Sequence, residues 1–304
     1  MRLLGGCVRY VRSRQQTCSA VSNSQAQNAP SRFSPIAVNA LYPSIERGLS
    51  ADILAARALG GRAYPVCTAH VVAGNGMVTD VLDVPTDTIS AQLEHVLNTG
   101  HPTAARVGII NHPATVEVVF DVMQQVNGPF VLDLTLSGPS GEDIINQRSL
   151  ERIQDRLEEP DLVTMRMQDA QLVAGMEIPS LDDAQVAIQR IGQLGAQRLL
   201  MRCGRISSHF YDLEAQAPSY AVDLYYDGED FAVFEAPHLE FDDVHGASSA
   251  LMLSLLRHLQ DEMTFPDALQ QAKAYVTEAL NHCAEGESPH APNYFWKRSQ
   301  ESVT

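Results

Sequence analysis

The chain has 304 residues, 45% of them apolar, enough for one large domain or two modest ones with a sizeable core, and a formal charge of −16. That acidity argues against nucleic acid or an anionic membrane surface as the main partner, because both reward clustered Lys and Arg; a small molecule or another protein fits better. Lysine occurs only at Lys273 and Lys297, so no G-x-x-x-x-G-K-[ST] phosphate loop can be written, and the five cysteines include no C-x-x-C pair to support a zinc site or a disulfide framework.

The first 34 residues differ from the rest. They carry Arg2, Arg9, Arg12, Arg14 and Arg32, and no acid precedes Glu46, so the remainder holds 16 basic against 37 acidic residues, a formal charge of −21. Arg-rich, Ser-rich and acid-free composition resembles a transit peptide, but no long amphipathic helix accompanies it. Residues 1–34 read instead as a disordered or dispensable extension, ahead of a single body over 35–296 and a tail over 297–304. No apolar run approaches the length of a membrane span, and the expectation is a cytoplasmic protein.

From Pro35 to Leu41 the chain reads as an apolar strand, followed by a turn-like interval, Tyr42 to Arg47, that ends at Gly48. Leu49 to Leu59 is helical, with Leu49, Ile53 and Ala56 on one face, and Gly60-Gly61 stops it. Arg62 to Ala73 is a buried strand, then Gly74-Asn75-Gly76 turns into a short run, Val78 to Val84. Thr86 to Asn98 spaces Ile89, Leu93, Val96 and Leu97 as a helical stripe. Alternation continues with the strand Ala105 to Ile110, the helix Pro113 to Gln125 and the strand Phe130 to Leu134. Beyond that strand's carboxyl end lies a loop of small residues, Ser137 to Gly141, and such loops are where α/β sheets bind ligands. The helix Gln147 to Glu158, the strand Leu162 to Met165, the helices Met167 to Ala174 and Asp182 to Leu194, and the strand Arg198 to Met201 complete the middle.

Tyr220 to Tyr226 and Phe231 to Glu235, joined through Asp227-Gly228, carry a hairpin signal, so the sheet ends in an antiparallel pair. The stretch Asp242 to Gln260 follows, where His245-Gly246-Ala247-Ser248-Ser249 leads into a helix apolar nearly all round, which reads as buried. A helix opening on Gly-Ala-Ser-Ser presents free N–H groups and the positive end of its dipole, an arrangement that attracts anions; a serine-capped core helix is the plainer explanation. Phe265 to His282 is the clearest amphipathic helix. With no linker or repeat after Pro35, one doubly wound α/β domain is the economical architecture.

The order of elements, with a late Gly-led turn opening a buried helix, resembles the ribokinase-like superfamily, and within it the hydroxymethylpyrimidine and phosphomethylpyrimidine kinases of thiamine synthesis. The resemblance covers about Pro35 to Trp296. It rests on S-A-D-I-L-A-A-R-A-L-G-G at Ser50 to Gly61, V-C-T-A at Val66 to Ala69, A-Q-L at Ala91 to Leu93, R-V-G-I at Arg106 to Ile109, V-L-D at Val131 to Asp133 and S-G at Ser140 to Gly141. F-E-A-P at Phe234 to Pro237, H-G at His245 to Gly246 and A-K-A-Y at Ala272 to Tyr275 add the strongest part. It implies a mostly parallel, doubly wound sheet with helices on both faces and an antiparallel pair at one edge.

It also implies phosphoryl transfer from ATP, with Mg²⁺, to a small pyrimidine or pyridoxal-like alcohol or its phosphate, without nucleic acid or membrane, in a possible homodimer. The catalytic turn, G-T-G-C or G-A-G-D in the family, falls on Gly246, Ala247, Ser248 and Ser249, so the second glycine and the final thiol or acid are both serines. A serine hydroxyl titrates far above neutrality and orients an acceptor rather than deprotonating it unless a base stands beside it, His245 being the nearest in sequence. A side chain at 248 is expected to narrow the anion hole and to strain its backbone. The substrate floor G-S-D-P-S-G-G-A-G corresponds to Ala40 through Gly48, with only Pro43, Ser44 and Gly48 kept, and the pyrimidine-reading Gln becomes Ala73, leaving His70 or Asn75 to compensate. T-P-N-x-x-E falls on Thr164 to Asp169 and K-G-G-H on Arg202 to Arg205.

By this correspondence Asp52, Ala73, Ile109 and Thr135 are expected at the substrate, Asp133, Asp169 and Arg202 at the nucleotide, and Asp169 at the metal. Each acid also has a plain structural reading, as a helix-start carboxylate or a loop anchor. Two functions stay open: a hydroxymethylpyrimidine/phosphomethylpyrimidine kinase, slow or altered in substrate, or a non-catalytic relative with a degenerate site that binds a pyrimidine or pyridoxal-like ligand or regulates. A third, the G-x-S-x-A resemblance of Gly246 to Ala250 to a hydrolase nucleophile elbow, ranks below both because only about fifty residues follow it.

Overall fold

The computed structural model describes residues 10–12, 33–43, 46–74, 76–206, 220–241, 244–283 and 290–297. In chain order the strands are β1 (Tyr10–Arg12), β2 (Pro35–Leu41), β3 (Tyr64–Gly74), β4 (Met77–Asp83), β5 (Ala104–Val107), β6 (Phe130–Leu134), β7 (Leu162–Arg166), β8 (Leu199–Ile206), β9 (Tyr220–Tyr226) and β10 (Phe231–Pro237). The helices are α1 (Leu49–Ala58), α2 (Thr86–Thr99), α3 (Pro113–Met123), α4 (Gln147–Gln154), α5 (Met167–Ala174), α6 (Leu181–Gly192), α7 (Ala247–Gln260) and α8 (Phe265–Asn281).

All the strands share one sheet, ordered β1-β10-β9-β8-β7-β6-β5-β2-β3-β4. Its middle, from β3 across to β8, is parallel; β4 returns antiparallel on β3 at one edge, and β8, β9, β10 and β1 run antiparallel at the other. Antiparallel pairing thus closes both edges, through the turn at Gly76 as well as the Asp227-Gly228 hairpin. Three residues of the expected N-terminal extension, Tyr10–Arg12, form the outermost strand; the rest of residues 1–32, the tail beyond 297, and Ser44 and Asn75 lie outside the described residues.

The core strands are apolar on both faces because helices cover both. Ile89 and Leu93 of α2, Val116 and Phe120 of α3, and Ala184, Ile188 and Ile191 of α6 pack on one face. Small residues of α1, with Leu251, Leu253, Leu255 and Leu256 of α7 and Ala268, Leu269 and Ala272 of α8, pack on the other. Complete burial of each such leucine stabilises by about 1.5–3 kcal/mol, which explains why α7 is apolar nearly all round. One detail of α1 differs from expectation: Ile53 is 42% exposed, and Leu49, Asp52 and Ala56 face inward instead, because small residues let this helix lie close to α7. Lys273, one of two lysines in the chain, is buried on α8 and pairs with Asp223 of β9 at 2.6 Å, fixing α8 to the sheet. Among the described residues no helix is long and apolar enough to cross a membrane.

Candidate active site

The chain enters the parallel sheet at β2, runs outward to β3, then crosses back to β5, so strand order reverses between β2 and β5. A crevice opens at the carboxyl ends of strands at such a reversal. Asn39, near the end of β2, holds it in shape: its Oδ1 accepts from the amides of Ala40 at 2.9 Å and Ile109 at 3.1 Å, while its Nδ2 donates to Asp52 Oδ2 at 3.0 Å. A Cβ on Gly108 would lie 2.3 Å from that Oδ1, so the glycine of the R-V-G-I motif is there to admit the Asn39 amide.

The crevice is a cavity of about 280 Å³. Its far wall is the start of α7. Gly246 adopts a left-handed conformation (φ 78°) that turns the chain into the helix, and a Cβ there would meet Tyr294 Oη at 2.1 Å and Glu46 O at 2.8 Å. The first helical bond of the turn runs from the Ala250 amide to Gly246 O at 3.1 Å, and no side chain caps the end. The amides of Ala247, Ser248 and Ser249, orphaned as in any first turn, therefore open on the cavity. The backbone strain expected from the missing second glycine is absent. Ser248 has no left-handed backbone, being an ordinary helical residue, and its hydroxyl turns aside to donate to Asp133 Oδ2 at 2.6 Å.

Beneath those amides runs a buried chain of charge. Arg106, alone among apolar residues on β5, donates from Nη1 to Asp52 Oδ2 at 2.5 Å and from Nη2 to Asp133 Oδ2 at 2.6 Å, and Arg202 closes the other Asp133 oxygen at 2.7 Å. Burial alone would raise the Asp133 carboxyl; Arg202 and Arg106, with the Ser248 hydroxyl, outweigh it and hold the group below the usual carboxylate range. Asp52 is pushed up, because its complete burial is opposed chiefly by Arg106 alone, with lesser help from Asn39 and Ser249. Ser249 thus has a carboxylate beside it from α1, on the side away from solvent.

Of the residues singled out by sequence, Gly246, Ala247, Ser248, Ser249, Ile109, Thr135, Asp133 and Arg202 all line the cavity. Asp52 lies behind the wall, wholly buried, and reaches the cavity only through Arg106 and Ser249. Ala73 sits by the β3–β4 turn, outside the wall, where its methyl offers a ligand no hydrogen bond; His70, on the same strand, is exposed. Asp169 is also outside. Its Oδ1 accepts from the Leu136 and Ser137 amides and the Ser137 hydroxyl, and its Oδ2 from Arg166 Nε at 2.8 Å, so it ties the loop after β6 to the start of α5. A carboxylate with no exposure and both its oxygens engaged does not fit the metal role expected of it.

Ten wall residues were not among the site candidates, and four of them carry chemistry that the candidate set missed: Tyr42, Arg47, Arg106 and Arg166. Arg106 carried a readable signal, a charge inside a short central strand, which must be paired to be buried. Tyr42 and Arg47 stack, the guanidinium 5.1 Å from the ring centre, and the Tyr42 hydroxyl is buried without a partner. Burial pushes that phenol up, against the pull of Arg47 and Arg166. Chemically the cavity is an anion cradle: three free amides at a helix start and four guanidinium groups, with Asp133 as the one carboxylate in the wall among the described residues.

Comparison with known proteins follows the same lines. A family model described as phosphomethylpyrimidine kinase matches residues 45–293. A hydroxymethylpyrimidine/phosphomethylpyrimidine kinase of Aquifex aeolicus is 27% identical over 241 residues, covering 77% of this chain and 89% of that protein. One from Mycobacterium tuberculosis is 26% identical over 251 residues, covering 81% and 88%. Among solved structures, the pyridoxal kinase of Staphylococcus aureus in complex with AMP-PCP and pyridoxal superposes with a TM-score of 0.73 at 22% identity, covering 88% of this chain and 95% of that one. A phosphomethylpyrimidine kinase from Clostridium difficile gives 0.66 at 21%, covering 82% and 99%. The observed sheet is the ribokinase-like one that the resemblance implied.

Proposed function

Because this chain belongs to the phosphomethylpyrimidine kinase family, we propose that it transfers a phosphoryl group from ATP to a hydroxymethylpyrimidine or its phosphate at the first turn of α7. The observation that carries the reading is the open row of amides at Ala247, Ser248 and Ser249, facing arginines across a cavity at the strand reversal. Phosphoryl transfer asks a protein mainly to align donor and acceptor and to stabilise charge on the moving group. ATP, when bound, supplies that group. The α7 amides, Arg166 and Arg202 hold its phosphates, and the wall formed by Asn39, Ile109 and Thr135 receives the acceptor ring. Ser249 orients the acceptor hydroxyl, with Asp52 as the carboxylate behind it. A largely dissociative transfer needs little proton removal before the phosphoryl group moves, which makes a serine tolerable where relatives have a thiol or an acid.

Mg²⁺ belongs to such a reaction by family, but Asp133 in the cavity wall is already committed to Arg106, Arg202 and Ser248, and Asp169 behind it to Arg166 and amides. The same commitment, together with Ser249, favours a second reading, a degenerate site that binds without turnover. The body over 35–296 is proposed to suffice for either. The test is acceptor-dependent ADP release by the purified full chain with ATP and, separately, hydroxymethylpyrimidine, its phosphate or pyridoxal. The kinase reading expects release with a pyrimidine acceptor. Saturable ligand binding without release supports the second reading and rejects the first.

A further inference from the structure

Resting on the kinase reading, we infer that this site holds the phosphate end of a nucleotide by guanidinium groups and amides, with no protein ligand to Mg²⁺ among the described residues. Magnesium sites that handle nucleotide phosphates normally lend one or two carboxylates to the metal. Here the carboxylate in the cavity wall and those packed behind it, among the described residues, already hold partners, and the one oxygen left over, Asp52 Oδ1, is wholly buried. Asp133 gives one oxygen to Arg202 and the other to Arg106 and Ser248. Asp169 is closed by Arg166 and the 136–137 amides. Asp52 lies behind Arg106, and the Glu142 carboxylate accepts from the amides of Val78 and Ser140, which binds the loop after β6 to the β3–β4 hairpin. Glu46, at the mouth, is exposed and outside the wall.

Positive charge stands where a metal would be expected to work. Arg166 and Arg47 occupy places where the family pattern described above has Asn and Ala, so two of the four guanidinium groups are additions of this chain. Arg47 makes no direct ion pair among the described residues, its charge reaching the Glu142 carboxylate only from a distance, and it is held by the Tyr42 ring. Two further observations point to an absent ligand: Arg106 lines the cavity at 3% exposure with its Nε unpartnered, and Tyr42 does so at 2% exposure with its hydroxyl unpartnered. A guanidinium fork matches phosphate oxygens with two parallel hydrogen bonds and neutralises them without water-bound metal. The more negative, metal-free nucleotide is the better ligand for such a wall.

Calorimetric titration of the full chain with ADP, in excess Mg²⁺ and again in EDTA, reads this directly. Binding in EDTA is expected to equal or exceed that in Mg²⁺, and Arg47→Ala, which leaves no buried charge behind, is expected to weaken it by about tenfold in both buffers. Circular dichroism establishes that the variant is folded. Binding weakened about tenfold or more by EDTA would overturn the inference while leaving the kinase reading intact, since the nucleotide would then be held with its metal rather than by guanidinium groups in its place. A folded Arg47→Ala that binds ADP like the parent would overturn the arginine assignment. Absence of ADP binding in both buffers would reject the kinase reading and this inference together.

Discussion

Asp133 carries two arginines and a serine hydroxyl on two oxygens, at 3% exposure, and its charge is therefore part of the fold as well as of the site. Asp133→Asn leaves Arg106 with Asp52 alone and takes from Arg202 its one carboxylate partner among the described residues. Stranding a buried charge in this way costs about 3–5 kcal/mol, so urea unfolding of the variant should show a loss of that size. The same group sets a pH dependence. Its folded-state carboxyl lies below the ordinary value, so its stabilisation is complete above the unfolded value of about 4 and is lost as the pH falls through the lower folded one. Unfolding titrations stepped downward from about pH 5 should show the parent losing stability that the Asn variant never had. The sequence named Asp133, Arg202 and Ser248 but not Arg106, which joins Asp133 to Asp52. Strand-end acids are visible as residue types, whereas the pairing of β5 with β6 and β7 with β8 that brings Arg106, Asp133 and Arg202 together is a product of sheet order.

The start of α7 shows what an element adds to its residues. Gly246 is the point at which the chain bends into the helix, and a methyl group there meets both a strained backbone and the Tyr294 hydroxyl. Gly246→Ala is expected to cost about 1–3 kcal/mol in thermal or chemical unfolding and to displace the first turn, with ADP affinity falling about tenfold or more. An Ala variant with parental stability and affinity would mean the turn has room that the geometry denies. Periodicity served well for such elements. β6 and α5 match their expected bounds residue for residue, and the 227–228 hairpin is where Asp-Gly placed it. It failed for α1, where a stripe of alanines buries and Ile53 does not, because close helix approach selects for small residues and a pattern search rewards large ones. Ser248 misled for a related reason. A glycine in a family pattern suggests special backbone, but here only Gly246 is left-handed and the next residues are plain helix.

For the whole molecule the telling contrast is between a formal charge of −16 and a cavity wall with four arginines. In so acidic a chain, a concavity lined by four arginines favours a small anion at the strand reversal over a polyanion on the surface. Both helix layers converge on that point. α1 delivers Asp52, α7 its open amides, and the loop after β6 is tied by Asp169 and Glu142 into the opposite side. The doubly wound architecture was readable from βα alternation, and its site location followed from topology alone. The arginine wall was not, since Arg47 and Arg166 stand in loops and strand ends where nothing in periodicity distinguishes a site residue from a solvated one. A phosphate seated on the first turn of α7 would cover its three open amides. Hydrogen exchange of the Ala247, Ser248 and Ser249 amides, followed with and without saturating AMP-PCP, tests it at those atoms. Slowing by about tenfold or more on binding is the predicted result, and unchanged exchange at all three amides in the saturated complex would contradict the account.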